Sequence, residues 1–127
     1  ILQRFIEGKH TFALEYQGKV IGSVGIEEYN EEKFPEFDSE YGRAIGYVLA
    51  KDYWGKGLMP EAVSAVIAWL FETQNLGFIL CGHFEGNVQS KRVQEKCGFK
   101  PYKESTYTTY YGVTHNNCYN LLRNEKR

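Results

Sequence analysis

The chain has 127 residues, of which 43% are hydrophobic and 16% aromatic, and a formal net charge of −1. That length suits one domain with a real core and leaves little room for a second. The ten Tyr and eight Phe argue against a disordered chain, and the near-neutral balance gives no reason to invoke DNA or RNA.

Residues Thr11 to Tyr16 alternate, turn at Gln17-Gly18 and resume from Val20 through Tyr29, the pattern of a hairpin of two antiparallel strands. An acidic stretch containing Pro35, from about Asn30 to Gly42, reads as a loop. Ala44 to Leu49 then predicts a short third strand whose uniform apolarity suggests burial on both faces. From Pro60 the period changes: Val63, Val66, Ile67, Leu70 and Phe71 follow helical spacing, Pro60 suits a first turn and Glu61 the positive helix end. The helix fades near Asn75-Leu76-Gly77, and Phe78 to Cys81 begins another buried strand. Strand, helix, strand implies a parallel crossover of right-handed sense. A second helix is expected from about Val88 to Lys96, ended by Gly98, followed by a final antiparallel pair over Phe99–Tyr111 and His115–Leu122. The order is that of an α/β mixed sheet, without repeats or low-complexity tracts.

Between the third strand and the long helix lies Lys51-Asp52-Tyr53-Trp54-Gly55-Lys56-Gly57-Leu58-Met59-Pro60. Two glycines with one residue between them let the backbone turn tightly, so that successive N–H groups converge on one point. The helix behind adds about half a positive charge there, which favours a phosphate or pyrophosphate. A Walker loop would need Lys and Ser/Thr after its last glycine, and a dinucleotide fingerprint a small residue where Pro60 stands. A plain strand-to-helix turn is the competing reading for the glycines alone.

Charge is uneven along the chain. Glu27, Glu28, Glu31, Glu32, Glu36, Asp38 and Glu40 face only Lys33 in their stretch, whereas Lys51, Lys56, Lys91, Arg92, Lys96, Lys100 and Lys103 gather later, as would suit a small polyanion. Cys81, Cys97 and Cys118 show neither a C-x-x-C pair nor zinc-finger spacing, so no disulfide scaffold or structural metal is signalled and a reducing cytoplasm fits. No apolar run reaches membrane-spanning length, and the first residues, with Arg4, Glu7 and Lys9, do not resemble a signal peptide.

Ile45-Gly46-Tyr47-Val48-Leu49, then Tyr53-Trp54-Gly55-Lys56-Gly57 and Glu61-Ala62, resembles motif A of the GNAT superfamily of N-acetyltransferases. A second block, Asn87-x-x-Ser90-x-Arg92-Val93-x-Glu95-Lys96-x-Gly98-Phe99, is similar to the corresponding segment of the RimJ/RimL-like branch, the ribosomal-protein N-terminal acetyltransferases. The resemblance extends from about Phe5 onward. It implies the GNAT (acyl-CoA N-acyltransferase) fold, a mixed twisted sheet around a strand-helix-strand crossover. The strand and helices that usually open the family have no counterpart before Ile1, so residues 1–127 are expected to be one N-terminally shortened domain.

The resemblance also implies roles. Acetyl-CoA would be the co-substrate, its pyrophosphate on the backbone N–H groups of Trp54, Gly55, Lys56, Gly57, Leu58 and Met59, with Lys56 adding charge at the rim. Its pantetheine would lie along Tyr47, Val48 and Leu49, bonded to their main chain, so that side-chain identity there matters little. Asn87 would be a side-chain partner of the pantetheine, its alternative being a helix cap. Ser90 would approach the coenzyme sulfur as the catalytic group, protonating the departing thiolate or holding a water that does so; its alternative is an ordinary polar helix residue. Gln94 stands where another branch has a tyrosine acid, and Gly82 where a relative has a glutamate base. Glu40, His83 and Glu85 are substitutes for that base, each with a structural role as the alternative. Trp54, Tyr41 and Tyr53 are candidates for lining the tunnel, or for core.

The expected reaction is direct attack of a primary amine on the thioester, with no metal: the acceptor would be a protein N-terminus, a small amine such as a polyamine or aminoglycoside, or an amino-acid-like metabolite. The acidic loop suits a cationic acceptor, or is a solvated connection. Family members often pair through their final strands, so a homodimer is expected. Two other readings stand beside the enzyme: a non-catalytic acyl-CoA-binding module, and a nucleotide-binding domain using the same cradle.

Overall fold

We describe the chain in a computed structural model that defines residues 2–6, 11–37 and 41–125, without the side chains of residues 2–6, 84 and 107. Its elements are β1 (Leu2–Ile6), β2 (Thr11–Tyr16), β3 (Lys19–Glu27), β4 (Gly42–Leu49), α1 (Leu58–Thr73), β5 (Phe78–Phe84), α2 (Val88–Lys96), β6 (Lys100–Thr108) and β7 (Thr114–Arg123). The strands form one sheet in the order β1-β2-β3-β4-β5-β7-β6. β4 and β5 pair in parallel; every other neighbouring pair is antiparallel.

The β2–β3 hairpin turns as its sequence predicts, Gln17 and Gly18 both taking positive φ (52° and 78°). β1 is an addition to the elements legible in sequence: Leu2-Gln3-Arg4-Phe5-Ile6 does not alternate, and its register on β2 shifts between Leu2 and Arg4. The final pair forms as expected, with β7 lying between β5 and β6.

α1 presents Ala62, Val63, Val66, Ile67 and Leu70 as one buried stripe. Pro60 falls in the first turn, where the N–H it lacks would have no helical acceptor. The helix stops where Gln74 N–H reaches Leu70 O and Asn75 takes a positive φ of 52°. The stripe packs on Ile45, Ile79 and Cys81 of the sheet and on Val93 of α2, so both helices cover one face.

The other face is closed by the acidic loop. A strand sends alternate residues to opposite faces, and Phe78 and Leu80 meet Phe34 and Phe37 there, Phe37 stacking on Phe78 at 4.2 Å between ring centres. The loop is therefore a lid on a second core through Phe34 and Phe37, while Glu31, Glu32 and Glu36 stay exposed. Glu36 fixes it to β6, accepting from Tyr102 Oη (2.6 Å) and pairing with Lys103 Nζ (2.9 Å). Asp38 and Glu40 lie outside the described residues.

Two predictions follow from this packing. A Cβ on Gly42 would stand 2.3 to 2.5 Å from three ring carbons of fully buried Phe78, whereas one on Gly25 meets nothing closer than 3.9 Å. Gly42→Ala is thus expected to lower stability by ~1–3 kcal/mol or more, and Gly25→Ala much less, in parallel thermal melts. The hydrogen bond from Tyr102, aided by Lys103, holds the Glu36 carboxyl down at about 2 against its ordinary 4.5. A carboxylate depressed in the fold stabilises above its unfolded value and loses that contribution as pH falls toward 2. Glu36→Gln should therefore weaken the loop at neutral pH and flatten the stability profile between pH 4.5 and 2, as read by acid titration of unfolding.

Candidate active site

β4 and β5 share a ladder from Gly42–Phe78 to Ile45–Cys81, where it ends. β4 continues to Leu49, still paired to β3 on its far side, and β5 continues to Phe84, paired to β7. Two adjacent parallel strands thus separate, and the edge of β4 from Gly46 to Leu49 is left open toward β5 among the described residues. Val48 there is 65% exposed, which corrects the expectation of burial on both faces.

The opening leads into a cleft of about 230 Å³ walled by Tyr47, Val48 and Leu49 on one side and Asn87 and Ser90 on the other, with Trp54 near its end. A smaller hollow, about 80 Å³, continues it past Gly55 and Gly57 and is bordered by Arg92 and Lys96. The two share Leu49, Met59, Gln89 and Val93, so one groove runs from Ser90 to the glycine turn.

Gly55 and Gly57 have φ of 77° and 74°, and nothing lies within 4 Å of a Cβ built on either. Glycine is required there by backbone conformation, not by crowding. Gly57 caps α1, whose first helical bond is Glu61 N–H to Gly57 O. The N–H groups of Leu58 and Met59 therefore point out of the helix end. Trp54 departs from expectation: its backbone N–H is held by Lys51 O (3.1 Å) in the short 3-10 turn Lys51–Tyr53, so only its indole takes part, donating to Leu49 O at 3.0 Å. Lys56 sits over the Tyr53 ring, its Nζ 5.4 Å from the centre, and does not wall the groove. Arg92 and Lys96 supply the charge there instead.

Asn87 caps α2, its Oδ1 accepting from Ser90 N (3.0 Å). The cap uses the carbonyl and leaves the side-chain amide N–H groups for the cleft. Ser90 Oγ lies 2.8 Å from Tyr47 Oη, a contact that joins α2 to β4. The family resemblance implies a role for the main chain of Tyr47 alone; its hydroxyl also joins the cluster, and two residues 43 apart give no local signal of that. Behind them Gln94, 1% exposed, sends Nε2 toward Tyr47 Oη, Gly82 O and Ser90 Oγ, while its Oε1 accepts from Asn120 Nδ2 and contacts His83 Nδ1 at 3.0 Å. Burial pushes the Tyr47 phenol up to about 12.

Two of the three base substitutes hold hydrogen bonds elsewhere. His83 is held by Gln94, and Glu85 accepts from Asn116 Nδ2 at 2.7 Å. Glu40 is outside the described residues. Tyr41 does not line the groove: its ring carries the Arg43 guanidinium at 4.7 Å. A larger hollow of about 590 Å³ between α2 and the final strands takes in His83 and Glu85 but not Gly55, Gly57 or Ser90. No cluster of potential metal ligands occurs among the described residues.

Residues 2–100 match the family model of the acetyltransferase (GNAT) domain, and the chain belongs to that family. YdaF of Bacillus subtilis, a protein named for ribosomal N-acetyltransferase activity, is 31% identical over 114 residues, which are 88% of this chain and 58% of YdaF. The ribosomal-protein-S5-alanine acetyltransferase of Vibrio fischeri superposes with a TM-score of 0.78 at 27% identity, over 92% of this chain and 62% of that one. The yncA acetyltransferase of Salmonella typhimurium, solved with its cofactor acetyl-CoA, shares the fold with a TM-score of 0.77 at 18% identity, over 94% and 67%. The chain thus spans about three fifths of the first two. No described helix is long and apolar enough to cross a membrane.

Because Gln94 Oε1 can only accept, the neutral His83 ring should carry its proton on Nδ1. Nitrogen-15 NMR of the imidazole is expected to show that tautomer; an Nε2–H ring would mean that the Gln94 amide points the other way.

Proposed function

We propose that this chain is the acetyl-CoA-binding core of an N-acetyltransferase that moves an acetyl group to a primary amine by direct attack, the amine being a protein N-terminus or a small amine. The observation that carries the proposal is the separation of β4 from β5 after Ile45–Cys81, with the glycine turn at one end of the resulting groove and Ser90 at the other.

The residues present fit the co-substrate. The pyrophosphate is assigned to the main-chain N–H groups of Gly55, Lys56, Gly57, Leu58 and Met59, with Arg92 and Lys96 nearby as counter-charge. Tyr47, Val48 and Leu49 offer an open strand edge to a peptide-like arm, and the Asn87 amide faces the same cleft. Acetyl-CoA supplies an acyl carbon already activated as a thioester. The chain's share is alignment and handling of the leaving sulfur, which Ser90 serves by hydrogen bonding as the sulfur takes up the bonding electron pair.

An α-amino group, with pKa about 8, is partly neutral near pH 7, whereas a lysine side chain near 10.4 is not. With Gly82 at the position of a relative's glutamate and His83 and Glu85 engaged, an acceptor that needs no strong base is favoured. The names of YdaF and of the Vibrio fischeri enzyme agree with a protein N-terminus. The hydrogen bonds on His83 and Glu85 keep a non-catalytic acyl-CoA-binding module as the second reading. Three free cysteines suit a reducing cytoplasm, and a homodimer would be built through the final strands.

Two measurements test the proposal. Gly57→Ala forces a side chain into φ 74° and should weaken coenzyme A binding at least about tenfold by calorimetry. Thiol release from acetyl-CoA across an amine and peptide panel should be fastest with α-amines; binding without turnover on any of them would favour the module.

A further inference from the structure

The hydroxyl cluster at the inner end of the groove obeys a donor count. Gly82 O can only accept, so the Gln94 atom 3.1 Å from it is Nε2, and the Nδ2–H of Asn120 on Oε1 agrees. With one Nε2 proton on Gly82, the other points between Tyr47 Oη at 3.2 Å and Ser90 Oγ at 3.4 Å. Tyr47 has a single proton and two acceptors on the same serine, Ser90 O at 2.9 Å and Ser90 Oγ at 2.8 Å. Whichever way the serine hydroxyl turns, the tyrosine proton keeps an acceptor and the tyrosine oxygen keeps a donor. The Ser90 proton is therefore the one member of the cluster able to swing into the cleft without stranding a buried polar atom, and stranding one is costly.

We propose that Gln94 and Tyr47 are positioning residues which hold Ser90 Oγ as an acceptor on its inner side and so present its O–H to the thioester sulfur. This rests on the reading of Ser90 given above. In the step it serves, the amine nitrogen bonds to the acyl carbon, the C–S bond breaks and its electron pair passes to sulfur, which Ser90 O–H then hydrogen-bonds. The proton shed by nitrogen goes to water, the sulfur is protonated from water, and Ser90 keeps its own proton. Burial keeps Tyr47 protonated throughout the working range, since its phenol is pushed up to about 12. The other titratable groups by the cluster are Cys81 and Cys97, whose thiols burial also pushes up, and His83.

The test uses the full-length protein and coenzyme A itself, following the ultraviolet absorbance of the bound thiolate against pH, a readout that needs no acceptor. Ser90→Ala should raise the pH at which the bound thiolate forms by about one unit, the worth of a hydrogen bond to a charge. Tyr47→Phe and Gln94→Met should each raise it by less, and neither should add to Ser90→Ala, because they act through that serine. Tyr47→Phe keeps the ring and carries the test if Gln94→Met does not fold. An unmoved midpoint in Ser90→Ala overturns the serine reading and the proposal with it. A shift in Ser90→Ala, with the other two either silent or fully additive to it, overturns the proposal alone.

Discussion

The site depends on two parallel strands that stop pairing while both continue. β4 and β5 share only the stretch from Gly42–Phe78 to Ile45–Cys81, and each is then held by its other neighbour, β3 or β7. A broken ladder inside a sheet leaves polar main-chain groups that must find partners elsewhere. Here they form the wall of a groove. α1 and α2 pack on one face of the sheet, and the Phe34–Phe37 loop covers the other face where β4 and β5 are still paired.

Much of this was legible from residue spacing. The helical stripe of α1, the hairpin and the glycine turn are local signals, and each stands where its pattern predicts; Asn87 and Ser90 stand out only by the family resemblance, and Asn87 caps α2. What escaped was non-local. The insertion of β7 between β5 and β6 leaves no trace in the order of elements. The five residues of β1 lack alternation. Trp54 was credited with a free N–H because a 3-10 turn cannot be seen in Lys51-Asp52-Tyr53. The acidic loop looked solvated because its charges outnumber the two phenylalanines that bury themselves under it.

The same distinction separates the two ends of the groove. At the glycine turn the backbone takes positive φ at Gly55 and Gly57, and that demand shows directly in sequence as glycine. At the serine it is a network of side chains from β4, β5, α2 and β7, assembled by topology around one buried glutamine. Gln94 brings an amide whose polarity is fixed by Gly82 O and Asn120 and orders its neighbours.

Amide hydrogen exchange of the full-length protein with and without saturating coenzyme A addresses the central claim most directly. The account predicts new protection at the open edge of β4, residues 46–49, and at Gly55 to Met59, with little change along β6. Protection confined to the hollow between α2 and the final strands, with β4 and the turn exchanging as before, would contradict it.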